Sequence, residues 1–242
     1  MPRGFWDWGV NPASIGVAPE ISSSELAVRL GALSTYERLG EVVLQDGFSD
    51  GLALAAPLVD GASGTVNLYA GFAKTGGYSV RAITPAAVDG YSGVGYAITL
   101  FQLSNVGIET TFNAPLPYCW VSVEMITDDA VQQRFAAARY SPETGVVQIY
   151  NSAGAWVTVA SGLSAASDLN LWSVLKLVID LNAGYYKRVM FANRAIDLSA
   201  YPLYTYGTAG VVSIHPLVRV TATTLIAASA YLDNVIVTQN EP

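Results

Sequence analysis

Few residues in this chain are equipped for chemistry. His215 is the only histidine. It stands in "VVSIHPLV" between apolar residues and before Pro216. A hydrolytic triad needs a nucleophile and an acid around such a base, and no G-x-S-x-G stretch occurs. One histidine also rules out a histidine-rich metal centre, so His215 reads as a structural strand residue. Cys119 is the only cysteine and cannot form an internal disulfide. In the alternating run "YCWVSVEMI" it reads as a small buried hydrophobe. Paired carboxylates are the other route to catalysis. "VEMITDDA" offers Glu124, Asp128 and Asp129, whereas Glu109 and Glu143 stand alone. Asp128–Asp129 reads as a turn. "GYSGVGY" (90–96) has the glycines of a phosphate loop without its lysine or following helix, and reads as a strand with close backbone approach.

Aromatic side chains are the stronger signal. "MPRGFWDWGV" packs Phe5, Trp6 and Trp8 into four positions of a leader punctuated by Pro2, Gly4, Gly9, Pro12, Gly16 and Pro19. Those residues preclude regular structure. Rings on an extended leader are what a docking segment looks like, each anchor being worth about 1–3 kcal/mol. The alternative is that the arm folds back and fills a groove on its own domain. "AYPLYTYG" brings Tyr201, Tyr204 and Tyr206 into one loop of rigid amphipathic rings, suited to sugar or protein contact. Tyr185, Tyr186, Trp156 and Trp172 are further candidates, with Tyr185 and Tyr186 on opposite faces if they lie on a strand.

The elements that position these residues are mostly strands. Ser22 and Glu25 have capping-box spacing, and Leu26 and Leu30 lie one turn apart before Gly31, which predicts a short helix over about 22–31. Its small apolar face must dock on something. From Glu41 onward, short β-type runs alternate with Gly, Asn, Pro and Ser, the signature of a sandwich or barrel. In "LKLVIDL", Leu175, Leu177, Ile179 and Leu181 share one face, and Lys176, Val178 and Asp180 the other. "NAG" (182–184) suits a short hairpin loop with Gly184 at positive φ.

The 242 residues suffice for a sizeable core. Charged residues make up 13% of the chain, about half the usual share, and the formal net charge is −7. No basic cluster offers itself to nucleic acid. Although 52% of residues are hydrophobic, no run reaches the length of a membrane span. So few charges suggest surface hidden in an assembly. The N-terminus lacks the apolar stretch of a signal peptide, so synthesis in a cytoplasm without export is expected.

"LQDGFSDGL" resembles the opening strand and turn of concanavalin A-like (laminin G-like) jelly rolls. "WSVLKLVIDLNAGYYKRVMFANRAIDLSAYPLY" resembles their later hairpins, and "YLDNVIVTQNEP" their closing strand. The resemblance covers residues 41–242 and implies an all-β, two-sheet antiparallel jelly-roll sandwich behind a 1–40 docking arm. Such folds serve lectins, glycan-binding modules, glycanases and viral structural proteins. Retaining glycanases of the laminarinase-like type carry E-x-D-x-x-E or E-x-D-x-E on one strand. "VEMITDDA" lacks the middle acid, so no enzymatic activity is expected. First and last strands are neighbours in these sandwiches, so Asp46, Asp50 and Asp233 could converge on a structural Ca²⁺. The simpler reading gives Asp46 and Asp50 to a turn and Asp233 to backbone N–H groups. No other cofactor is expected.

The leader "ELAVRLGALSTYERLGEVV" (25–43) and the ending at 231–242 also resemble bacteriophage virion-associated proteins. That implies a capsid- or tail-associated decoration protein, assembled in the host cytoplasm. It would be docked through Phe5, Trp6, Trp8, Leu26 and Leu30 onto other virion proteins or copies of itself. Surface glycans would be further partners, with no nucleic acid and no membrane. The alternative reading is a carbohydrate-binding module that uses the aromatic side chains of the sandwich.

Overall fold

A computed structural model describes residues 40–61, 63–74, 77–99, 104–128, 131–165, 172–192, 194–207 and 213–242. The arm, its anchors Phe5, Trp6, Trp8, Leu26 and Leu30, the helix expected at 22–31, and Asp129 lie outside them. The described residues form β1 (Glu41–Asp46), β2 (Ala56–Val59), β3 (Thr65–Tyr69), β4 (Ser79–Ile83), β5 (Tyr91–Gly95) and β6 (Asn105–Asn113). Then follow β7 (Cys119–Asp128), β8 (Gln133–Ser141), β9 (Val146–Tyr150), β10 (Trp156–Ala160) and β11 (Ser173–Asp180). The chain ends with β12 (Tyr185–Phe191), β13 (Arg194–Asp197), β14 (Tyr204–Tyr206), β15 (Ser213–Ala222) and β16 (Ser229–Gln239).

These strands make two eight-stranded antiparallel sheets, so the protein is the all-β sandwich that its alternating runs predict. The first sheet has the order β13-β12-β11-β6-β16-β4-β3, with β1 also on β16. The second has the order β10-β9-β8-β7-β15-β5-β2, with β14 also on β8. The first and last strands pair, as the jelly-roll resemblance implies, with Asp46 opposite Val235.

The core lies between the sheets. Leu175, Leu177 and Ile179 of β11 face Val121, Val123 and Met125 of β7 across it, and all six are fully buried. The 181–184 connection is the expected hairpin, with Gly184 at φ 73°. The Asp180 carboxylate accepts the Ala183 N–H at 2.8 Å. Tyr185 is exposed and Tyr186 buried, as opposite faces require. The glycines of 90–96 serve close approach: a Cβ at Gly93 would collide with the Val218 carbonyl oxygen on the paired strand β15. Cys119 is buried, and desolvation pushes its thiol up to about 12, which keeps it a neutral packing group.

The outward side of the first sheet is itself buried over Lys176, Val178, Glu109 and Thr111. Lys176 Nζ pairs with Glu241 Oε1 at 2.5 Å, and Arg188 reaches Glu241 Oε2 at 2.8 Å. Thr238 Oγ1 donates to Glu241 Oε1 at 2.6 Å. Burial alone would raise the Glu241 carboxyl, but Lys176, Thr238 and Arg188 outweigh it and hold the group below the usual carboxylate range. The end of the chain is thereby latched across this face.

Candidate functional site

The second sheet presents a different outward face. Alternation settles which side chains lie on it. On β7, Val121, Val123 and Met125 point to the core, leaving Trp120, Ser122, Glu124 and Ile126 outward. On β8, Ala136, Ala138 and Tyr140 point inward, leaving Phe135, Ala137 and Arg139 outward. The same rule places Gln148 and Tyr150 of β9, and His215, Leu217 and Arg219 of β15, on this face.

Cross-strand register aligns these residues into rows. One row runs Thr158, Gln148, Arg139, Ser122, Arg219, Gly93, Leu58 across seven strands. Next to it, Ala137, Glu124, Leu217 and Gly95 make a floor of mostly small or apolar side chains with one acid.

Aromatic rings flank that floor. Tyr206 stacks on Tyr204 with centroids 5.7 Å apart. Tyr204 meets Tyr150 edge-on at 5.4 Å, and Tyr150 meets Trp156 edge-on at 5.3 Å. Phe135 joins at 5.2 Å from Tyr150. The Arg139 guanidinium then bridges Trp156 at 3.9 Å to Trp120 at 4.0 Å. Its Nε and Nη2 both donate to Gln148 Oε1, at 2.9 and 2.7 Å. Burial lowers the Arg139 guanidinium to about 10, against the opposing pull of Asp89, so it stays cationic at neutral pH. Trp120, Tyr150, Trp156, Tyr204 and Tyr206 are half-buried, so each retains surface towards solvent.

Polar groups complete the face. Arg219 pairs with Glu124, and Ser122 Oγ donates to Glu124 Oε1 at 2.7 Å. The Arg219 guanidinium carbon sits 4.8 Å from the Tyr91 ring centroid. At the far end, Ser213 Oγ donates to Asp128 Oδ2 at 3.2 Å and lies 3.3 Å from His215 Nε2. Burial raises the Tyr206 phenol, helped by Asp128 and Tyr204, so it remains a neutral donor. Glu124 and Asp128 stand four residues apart on one strand, about 13 Å at the usual rise. The position midway between them, where the laminarinase-like pattern carries an acid, is Ile126.

The residues singled out in the sequence are partly brought together. Tyr204 and Tyr206 share the aromatic row. Tyr201 instead packs against the core, and its carbonyl accepts the Tyr186 N–H at 2.9 Å. Trp172 is stacked on Phe72, 4.9 Å away, beside Tyr231 of the first sheet. Asp46 accepts the Phe48 N–H at 2.9 Å and the Tyr96 hydroxyl at 3.2 Å. Asp50 lies exposed in the turn. Asp233 accepts the N–H groups of Lys74 and Asn234, each at 2.8 Å. Among the described residues, no group of three or more His, Cys, Asp or Glu side chains comes together to hold a metal.

Trp120, Tyr150, Arg139, Gln148 and Arg219 were not singled out in the sequence. The signal for Trp120 was available, since the alternation in "CWVSVEM" already sets Trp120, Ser122 and Glu124 on one face. Tyr150 carried no such signal, because its ring partners come from β8, β10 and β14.

No family model and no curated protein matches the chain. Solved structures do. An endo-β-1,4-glucuronan lyase from the fungus Trichoderma reesei superposes with a TM-score of 0.56 at 12% identity, covering 82% of this chain and 95% of the lyase. A Bacillus subtilis protein with a galectin-like fold gives 0.55 at 9% identity, covering 83% and 96%. A carbohydrate esterase from the Shiga toxin-encoding bacteriophage phi24B gives 0.51 at 11% identity, covering 84% and 100%. What this chain shares with all three is the jelly-roll, galectin-like β-sandwich fold.

Proposed function

We propose that the chain binds a carbohydrate through the outward face of the second sheet. The observation that carries this reading is the continuous row Tyr206–Tyr204–Tyr150–Trp156–Arg139–Trp120. A sugar ring offers apolar C–H faces and polar edges. It is matched by a few rigid rings beside a small number of placed polar groups. Arg219 and Gln148 are those polar groups, with buried Glu124 holding the Arg219 guanidinium and buried Ser122 bonded to Glu124. Two of the proteins that share the fold are named for acting on carbohydrate, which supports the choice of ligand class. The proposal is of binding without turnover, since Glu124 is engaged by Arg219 and Ser122. Retardation of the protein in polysaccharide-containing native gels, compared with Trp156→Ala and Tyr204→Ala variants, tests it.

A second reading is a decoration protein of a phage particle, docked through residues 1–40 with the sandwich outside. It is supported by the aromatic leader and by one bacteriophage protein among those sharing the fold. The two readings are compatible, since a particle decoration can bind surface glycans.

A further inference from the structure

The tyrosine end of the second sheet's outward face is built from two rows in register. Tyr206 of β14 lies beside Gln133 of β8, Gln133 beside Asp128 of β7, and Asp128 beside Ser213 of β15. The next row runs Tyr204, Phe135, Ile126, His215 across the same four strands. Alternation points all eight side chains outward, and all eight keep part of their surface in solvent. A polar row therefore lies along a mostly apolar one, with Tyr206 and Asp128 about 10 Å apart across two strand spacings.

Asp128 is the uncompensated charge of this arrangement. Glu124, further along the same strand, is held by Arg219 and Ser122. Asp128 receives the Ser213 hydroxyl on Oδ2 at 3.2 Å, while Oδ1 is buried with no hydrogen-bond partner. Among the described residues, no Lys or Arg pairs with it. Ser213 has one proton and gives it to Asp128, so His215 Nε2, 3.3 Å away, donates to Ser213 Oγ. The imidazole thus props the serine and is not a base towards it. The charge is felt across the row: the Tyr206 phenol is raised first by burial and then by Asp128. The cations of the face are engaged elsewhere. Arg219 is on Glu124, and Arg139 is closed between Trp156 and Trp120 with its fork on Gln148.

We propose that the tyrosine end of the site takes an uncharged sugar unit, and that Asp128 is the residue that turns uronates away from it. The inference rests on the glycan reading and names the class of glycan. A sugar hydroxyl can donate to a site whose fixed charge is an acceptor-only carboxylate, and the Gln133 amide offers both a donor and an acceptor beside it. A uronate brings a second acceptor-only carboxylate, with no described cation at this end to separate the two charges. Like charges set together in a partly desolvated site are the repulsive element from which selectivity is built.

The test is affinity electrophoresis of the full chain in gels containing soluble neutral glucans, each beside the same polymer with its primary alcohols oxidised to carboxylates. Gels run at about pH 8 keep histidine side chains neutral, so that no imidazolium offsets the carboxylate. Wild type is expected to bind the neutral form at least about tenfold more tightly than the oxidised form. Asp128→Asn keeps an acceptor for Ser213 and is expected to retain wild-type circular dichroism and neutral binding, while the preference shrinks to within about threefold. Asp50→Asn removes the same charge from an exposed turn and is expected to leave the preference intact. Equal binding of both forms by wild type, or tighter binding of the oxidised one, overturns the inference and leaves the glycan reading standing. A preference that Asp128→Asn does not change overturns it as well, and so does one that Asp50→Asn reduces equally, because net charge then sets it. Wild-type mobility unaffected by any polymer overturns the inference together with the glycan reading.

Discussion

The guanidinium carbon of Arg139 lies 3.9 Å from the centre of the Trp156 ring, and Trp120 covers its other side at 4.0 Å. The charge is thereby a spacer that sets two indole rings across strands β7, β8 and β10. Arg139→Leu removes both cation–π contacts and the forked bonds to Gln148. We expect a loss of about 2 kcal/mol in urea unfolding and at least tenfold weaker glycan binding. Arg139→Lys should recover less than half of either, because an ammonium cannot supply the planar fork.

Tyr186 supports the row from beneath. β8 pairs with β9 over Ala138–Ser141 and with β14 over Gln133–Phe135. At the change of partner, the Tyr186 hydroxyl crosses the core, accepts the Ala137 N–H at 3.0 Å and donates to the Tyr150 carbonyl at 2.6 Å. Tyr186→Phe leaves both groups unpaired in a buried site. A destabilisation of about 1–3 kcal/mol is expected, read by chemical denaturation.

These two relationships show where sequence reading reaches and where it stops. The alternation of Leu175, Leu177 and Ile179, the hairpin at Gly184 and the pairing of first and last strands were all legible. So were the close-packed glycines of β5. Each is a local pattern, or follows from the resemblance to jelly rolls. The site was legible only in part: Tyr204 and Tyr206 stood out as a loop motif, while Tyr150 and Arg139 did not. Their roles depend on strands far apart in the chain meeting at one register, and no local period encodes that. The burial of Lys176 was hidden for the same reason, since its partner Glu241 lies 65 positions away.

The latch at Glu241 makes stability depend on pH. Its folded-state pKa is depressed, so its contribution is complete above the unfolded carboxylate value of about 4.3. It is lost as pH falls through the lower folded value. Glu241→Gln should cost about 3 kcal/mol at pH 7, because it leaves the buried Lys176 charge without its ion-pair partner. The variant should also show a flatter fall in melting temperature below about pH 4.3 than wild type. An unchanged acid limb would remove Glu241 from that role.

Gly93 provides a test of the close strand packing in the row that carries Arg139 and Arg219. Gly93→Ala drives a methyl group into the Val218 carbonyl, with an expected cost of about 1–3 kcal/mol. The substitution should shift the urea midpoint without changing its slope, as expected when β5 and β15 are forced apart locally.

The most direct measurement is affinity electrophoresis of the full chain in gels containing a panel of neutral and uronic-acid polysaccharides. The account predicts retardation by at least one of them. It predicts loss of that retardation in Trp156→Ala and Tyr204→Ala, and its retention in Tyr185→Ala, where the exposed ring belongs to the other sheet. Wild-type mobility in every gel, or retardation that survives both Trp156→Ala and Tyr204→Ala, would contradict it.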